Sequence, residues 1–130
     1  MTHRFPIRVY YEDTDLAGIV YYANYLRFIE RARTEWTRAL GIDQTRLKAE
    51  EGAVFAVRRI EADYLSPAVF DDELTVTTEV ARLTPARIEL DQKVMRGDGV
   101  LFAARVTLAC LDPDLRPRRL PGALVALMRS

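Results

Sequence analysis

The sequence predicts an α+β fold, with one long amphipathic helix laid against a five-stranded antiparallel sheet. Three observations carry that prediction. Apolar residues recur at intervals of three and four from Asn24 to Leu40. After Gly52 the period drops to two and stays there through four segments. Short turns separate those segments, a spacing that favours antiparallel neighbours over helical crossovers. The chain has 130 residues, 49% hydrophobic and 29% charged, which suits one globular domain spanning residues 1–130.

The elements follow in order. His3 to Glu12 alternates, with Phe5, Ile7, Val9 and Tyr11 on one face, so a strand is expected there. Pro6 places it near an edge or at a strand start. Asp13 to Ala23 reads as a loop marked by Thr14-Asp15 and Gly18. Asn24 is a candidate cap for the helix, and Tyr25, Ile29, Ala32, Trp36 and Leu40 form its apolar stripe. Arg31 and Glu35 are spaced to pair, and Gly41 is a natural stop. A weaker helical piece is expected from Asp43 to Glu50. Strands are then expected over Ala53 to Leu65, Glu73 to Leu83, Ala86 to Arg96 and Val100 to Leu111. Gly97-Asp98-Gly99 is a hairpin turn. The apolar stretch from Gly122 to Met128 reads as a last helical turn or two.

The dimensions agree. The helix would span ~25 Å, and strands of about eight residues would span ~26 Å. One curved sheet can therefore wrap one helix, but its edges stay open. Open edges invite a second sheet, so a dimer or a dimer of dimers is expected, the latter a homotetramer.

Composition removes several chemistries. The chain holds one His (His3), one Cys (Cys110) and two Ser (Ser66 and Ser130). A Ser-His-Asp triad or a Cys-His dyad would have to recruit His3. No metal site is expected from so few soft ligands. Acid-base work must fall on carboxylates, tyrosines or backbone groups. Nineteen basic residues balance nineteen acidic ones, so no global field attracts nucleic acid. No run is long enough for a membrane span, the first residues lack a signal-peptide pattern, and one Cys forms no internal disulfide. A cytoplasmic protein is expected, at most peripheral to the inner membrane.

The densest polar constellation runs from Tyr10-Tyr11-Glu12-Asp13-Thr14-Asp15 through Gly18 to Tyr21-Tyr22-Ala23-Asn24-Tyr25. It joins the first strand to the helix start. Unpaired N–H groups and the positive dipole end of a helix can hold a phosphate or a developing oxyanion. A nearby carboxylate would add a nucleophile or base. Asp and Thr before Gly also simply make turns, and Asp near a helix start caps it.

The stretch from Val9 to Tyr25 resembles the signature of the hotdog-fold acyl-CoA thioesterases of the 4-hydroxybenzoyl-CoA type. The helix segment from Phe28 to Glu35 continues the likeness. Ala62-Asp63-Tyr64-Leu65-Ser66-Pro67-Ala68, Asp71-Asp72, Cys110-Leu111-Asp112-Pro113 and Arg118-Arg119-Leu120-Pro121 resemble the Tol-Pal-associated (YbgC) group. The resemblance implies a hotdog fold, with the long helix inside and the curved sheet around it. It also implies hydrolysis of acyl-CoA to free acid and CoA. Asp15 matches the family's catalytic carboxylate, and the backbone N–H of Tyr22 matches its donor to the thioester carbonyl. The group often carries His where this chain has Tyr22; a backbone donor survives that change.

A single carboxylate suits this chemistry, because a thiolate leaves far more readily than an alkoxide. Asp15 could attack directly or deprotonate water. Tyr11, Gly18, Val20, Asn24, Tyr25, Arg58, Ser66 and Pro67 are candidates for contact with substrate. No cofactor is expected, coenzyme A being part of the substrate. Glu30 and Glu35 on the helix are weaker carboxylate candidates and also suit surface ion pairs. Arg58 and Arg59 point to opposite faces of a strand, so one could reach CoA phosphates. A non-catalytic protein that binds acyl thioesters or acyl carrier protein in a cell-envelope complex is the alternative. A hotdog dehydratase ranks last, because its pocket His has no counterpart inside the motif.

Overall fold

A computed structural model describes residues 1–129. The chain forms β1 (His3–Arg8), a 3₁₀ turn (Tyr11–Asp13), α1 (Asn24–Ala39), α2 (Gln44–Glu51), β2 (Val54–Tyr64), β3 (Glu73–Leu83), β4 (Arg87–Arg96), β5 (Gly99–Leu111) and α3 (Gly122–Arg129). The five strands make one antiparallel sheet in the order β1-β3-β4-β5-β2. The hairpins β3–β4 and β4–β5 form its centre, so β1 and β2 become the edges. Pro6 sits on edge strand β1, as its missing N–H requires.

α1 packs on β1, β3 and β4. Phe28, Ile29, Ala32 and Trp36 face inward and share one buried cluster with Val76, Leu90, Val94 and Phe102 of the sheet. Each large apolar side chain buried this way is worth about 1.5–3 kcal/mol. One polar group interrupts that layer. Gln92, fully buried, donates to the Ile29 carbonyl at 3.0 Å and to Thr78 Oγ1 at 2.9 Å, and accepts from Arg33 at 3.0 Å. It ties the helix to β3 and β4. Burial lowers the pKa of the Arg33 guanidinium below its ordinary value, with Glu30 opposing that shift.

Gly41 ends α1 in the left-handed region at φ +83°, as a C′ glycine does. Asp43 caps α2 by accepting from the Arg46 N–H at 3.1 Å.

The structure differs from the sequence-based expectations in three places. β1 ends at Arg8 instead of Glu12, and Tyr11 is 83% exposed instead of facing the core. The cause is local: the Asp13 carboxylate captures the Tyr10 N–H at 2.8 Å and curls the chain into a 3₁₀ turn. The N-cap of α1 is Ala23, not Asn24. The Asn24 side chain turns inward and donates to Asp13 Oδ1 at 2.9 Å. Glu35 pairs with Arg38 at 2.6 Å, not with Arg31.

Candidate active site

The loop between the 3₁₀ turn and α1 is a small hairpin. Thr14 bridges Val20, and Ile19 bridges Val69. Asp15 donates its N–H to the Ile19 carbonyl at 2.9 Å and accepts the Gly18 N–H on its own carbonyl at 3.0 Å. That reversal requires φ +82° at Gly18, a region that favours glycine. Asp15 Oδ1 accepts the Ala17 N–H at 2.9 Å, which fixes the carboxylate and leaves Oδ2 for another partner.

Two hydrogen bonds hold this hairpin to the body. Val20 N–H donates to the Ala68 carbonyl at 2.9 Å, and Tyr21 N–H donates to the Asp13 carbonyl at 2.8 Å. Asp13 thus contacts both ends of the loop: its carboxylate takes Tyr10 and Asn24, and its carbonyl takes Tyr21.

The result is a cleft of about 460 Å³ with Asp15 in its wall. Ile19, Val20 and Tyr22 come from the hairpin and the start of α1. Tyr25 comes from the first turn of α1. Tyr64, Leu65, Ser66 and Pro67 come from the end of β2 and the bend beyond it. The Leu65 and Ser66 N–H groups both donate to the Leu101 carbonyl, at 2.8 and 3.1 Å, which turns the chain along the wall of the cleft. The N–H groups of Tyr22 and Ala23 go to no backbone carbonyl of the loop, among the described residues. They sit at the positive end of α1.

Aromatic rings build the floor. Tyr25 stacks on Phe102 at 5.0 Å, and Tyr64 meets Phe102 and Tyr25 edge-on at 5.0 and 5.6 Å. Burial pushes the Tyr25 hydroxyl above the ordinary tyrosine value, although the Ala68 N–H that it accepts opposes this. Burial likewise raises Tyr64, with Tyr22 adding to the effect. Tyr21 is raised chiefly by the neighbouring Tyr22 side chain, and Asp15 contributes last.

Six sequence-derived candidates therefore meet in one place: Asp15, Val20, Tyr22, Tyr25, Ser66 and Pro67. Tyr11 and Gly18 line a second cleft of about 510 Å³ on the other side of the hairpin, together with Thr14, Asp15, Leu16 and Phe70. Asn24 is buried outside the lining of the cleft, and its side chain bonds to Asp13. Arg58 lies at a bulge in β2, exposed to solvent and outside the lining of either cleft. Glu30 and Glu35 stand elsewhere on α1, on Thr34 and Arg38. Sequence reasoning missed Ile19, Tyr64 and Leu65 in the lining, and the bridging role of Asp13. Tyr64 carried one usable signal, as an aromatic at a strand end beside Ser66-Pro67.

The Thioesterase superfamily profile matches residues 17–103, beginning two positions after Asp15. The chain is 47% identical to the acyl-CoA thioesterase YbgC of Haemophilus influenzae, over 83% of this chain and 79% of that protein. It is 42% identical to the acyl-CoA thioester hydrolase YbgC of Escherichia coli, over 95% of this chain and 92% of that protein. A crystal structure of a probable thioesterase from Bartonella henselae superposes with a TM-score of 0.89 at 40% identity, covering 93% of this chain and all of that one. The chain belongs to the thioesterase superfamily and is a thioester hydrolase with the hotdog architecture that its sequence resemblance implied.

Proposed function

We propose that this member of the thioesterase superfamily hydrolyses acyl-CoA thioesters to the free acid and coenzyme A. Asp15 serves as nucleophile or general base, and the backbone N–H of Tyr22 donates to the thioester carbonyl oxygen. The observation that carries the proposal is the meeting of Asp15 and the start of α1 on one apolar-walled cleft. The names of the relatives support the substrate class.

The chemistry follows from that pairing. As a base, Asp15 takes a proton from water while the hydroxide oxygen bonds to the carbonyl carbon. As a nucleophile, it bonds to that carbon itself, and water then cleaves the mixed anhydride. Either way the carbonyl oxygen gains negative charge and is met by N–H groups with the helix dipole behind them. The C–S bond breaks as the carbonyl reforms, and the CoA thiolate leaves without needing a strong acid. The walls of Val20, Tyr25, Leu65 and Pro67 suit an apolar arm of the substrate.

The finer partner assignments belong to the same proposal. The open edges of β1 and β2 support edge-to-edge pairing into a dimer or a dimer of dimers. Among the described residues no helix is long and apolar enough to cross a membrane, which fits work in the cytoplasm or against the inner membrane. Acyl carrier protein is a competing acyl donor.

The test is thiol release from a panel of acyl-CoAs and acyl carrier proteins, comparing the wild type with Asp15→Asn. The variant should lose about 100-fold or more of kcat, the range of a positioned acid or base. Equal rates in the two proteins would remove Asp15 from the mechanism. No thiol from any substrate would remove the activity.

A further inference from the structure

We propose that Tyr64 is a positioning residue for hydrolysis: its hydroxyl pins the Tyr22 peptide to the end of β2 and so aims the donor at the start of α1. This rests on the reading of Tyr22 as the donor to the carbonyl oxygen. Tyr64 Oη donates to the Tyr22 carbonyl at 2.9 Å, across 42 residues of sequence.

That carbonyl stands just outside the helix. The Leu26 N–H goes to Ala23 at 3.1 Å, and the Asn24 N–H goes to Tyr21 at 2.8 Å. The second of these bonds holds the Tyr21–Tyr22 peptide, which carries the Tyr22 N–H. The Tyr64 bond holds the next peptide, on the other side of the Tyr22 Cα. Both planes flanking Tyr22 are thus restrained, one by a backbone turn and one by Tyr64. A donor aimed before the reaction starts needs no reorganisation when charge develops on the carbonyl oxygen.

The pin is itself rigid. Tyr64 is the last residue of β2 and pairs with Phe102 of β5 in the sheet register. Its ring meets the buried Phe102 at 5.0 Å and the buried Tyr25 at 5.6 Å. The sheet therefore sets the position of the hydroxyl, and the hydroxyl sets the position of the helix start. Burial raises the pKa of this phenol, so it remains protonated and able to donate across the neutral range. Tyr64 is half-exposed, and Phe keeps its ring contacts, so the substitution that removes the bond leaves the packing in place.

The experiment is steady-state hydrolysis of acyl-CoAs of several chain lengths by the wild type and Tyr64→Phe, with a thermal melt of each. The expected result is a kcat about 10-fold lower, the size of a modest misalignment of one catalytic group. KM should change less than about twofold, and the loss should be the same for every chain length, because the donor acts on the carbonyl and not on the acyl arm. A kcat within about twofold of wild type would overturn the proposal, as would a loss carried by KM or one that varies with chain length. Those outcomes would make Tyr64 a wall of the cleft. A fall in Tm with kcat retained would make it a structural contact. A wild type that hydrolyses none of the acyl-CoAs would instead overturn the proposed function, and with it this role.

Discussion

Replacing Asp13 with Ala should loosen the loop that carries Asp15 from both ends at once. Asp13 is only 5% exposed, and its side chain accepts two hydrogen bonds, from Tyr10 N–H at 2.8 Å and from Asn24 Nδ2 at 2.9 Å. The two losses are unequal. Tyr10 is exposed, and water can replace its acceptor. Asn24 is buried, and its amide would be stranded. A buried group left without its charged partner costs about 1–3 kcal/mol, and the solvated bond adds about 1, so Asp13→Ala should lose about 3 kcal/mol. For a domain of this size that is a fall in Tm of roughly 10–15 °C. The assay is denaturant and thermal unfolding at one protein concentration, completed by a double-mutant cycle with Asn24→Ala. Because the pair shares one buried bond, the coupling should be about 1–2 kcal/mol. A loss below about 1 kcal/mol, or additivity in the cycle, would show that Asp13 does not hold the loop in this way.

Two further outcomes test other parts of the fold. Gly52 closes α2 at φ +65°, and a Cβ there would lie 2.9 Å from Pro113 Cγ, whereas Gly41 at φ +83° faces open space. Both glycines share the cost of a left-handed residue, so Gly52→Ala should be less stable than Gly41→Ala by about 1 kcal/mol or more, read from paired melts. Cys110 is fully buried, and burial pushes its thiol above the ordinary value, against a smaller opposing effect of Arg118. Its stabilising contribution is therefore complete below the unfolded value of about 8.5 and is lost as pH rises from there through the folded value. The native protein should resist thiol reagents at pH 8 until it unfolds. Above that range the wild type should lose more stability than Cys110→Ala, and equal losses would contradict this.

Local patterns made most of the fold legible. The period of two survives in β3, β4 and β5 because each alternate residue meets the same apolar layer: Ile88, Leu90 and Val94 on β4, and Phe102, Val106 and Cys110 on β5, are all buried. The stripe of α1 was legible for the same reason. Its first turn was not. Asn24 has the right chemistry for a cap, but a buried carboxylate eleven residues back competes for its amide and wins. The Asp13 signal looked like ordinary turn chemistry, since nothing local tells which of several neighbouring carboxylates will be buried.

The sequence by itself determined the class of the fold, the helix and four of the five strands nearly to the residue, and it singled out the loop that the structure places in the wall of the cleft. It also narrowed the chemistry, because one His and one Cys leave carboxylates, tyrosines and backbone groups to do the work. Only the tertiary structure decided which residues share a cleft. Ser66 and Pro67 join Asp15 there, while Arg58, only eight residues before Ser66, does not. Tyr64 enters the site through a bond to Tyr22 that spans 42 residues. Periodicity reports which face of an element is buried. It does not report which elements meet, and that is settled by long-range contacts such as the Tyr64 bond that joins the end of β2 to the start of α1.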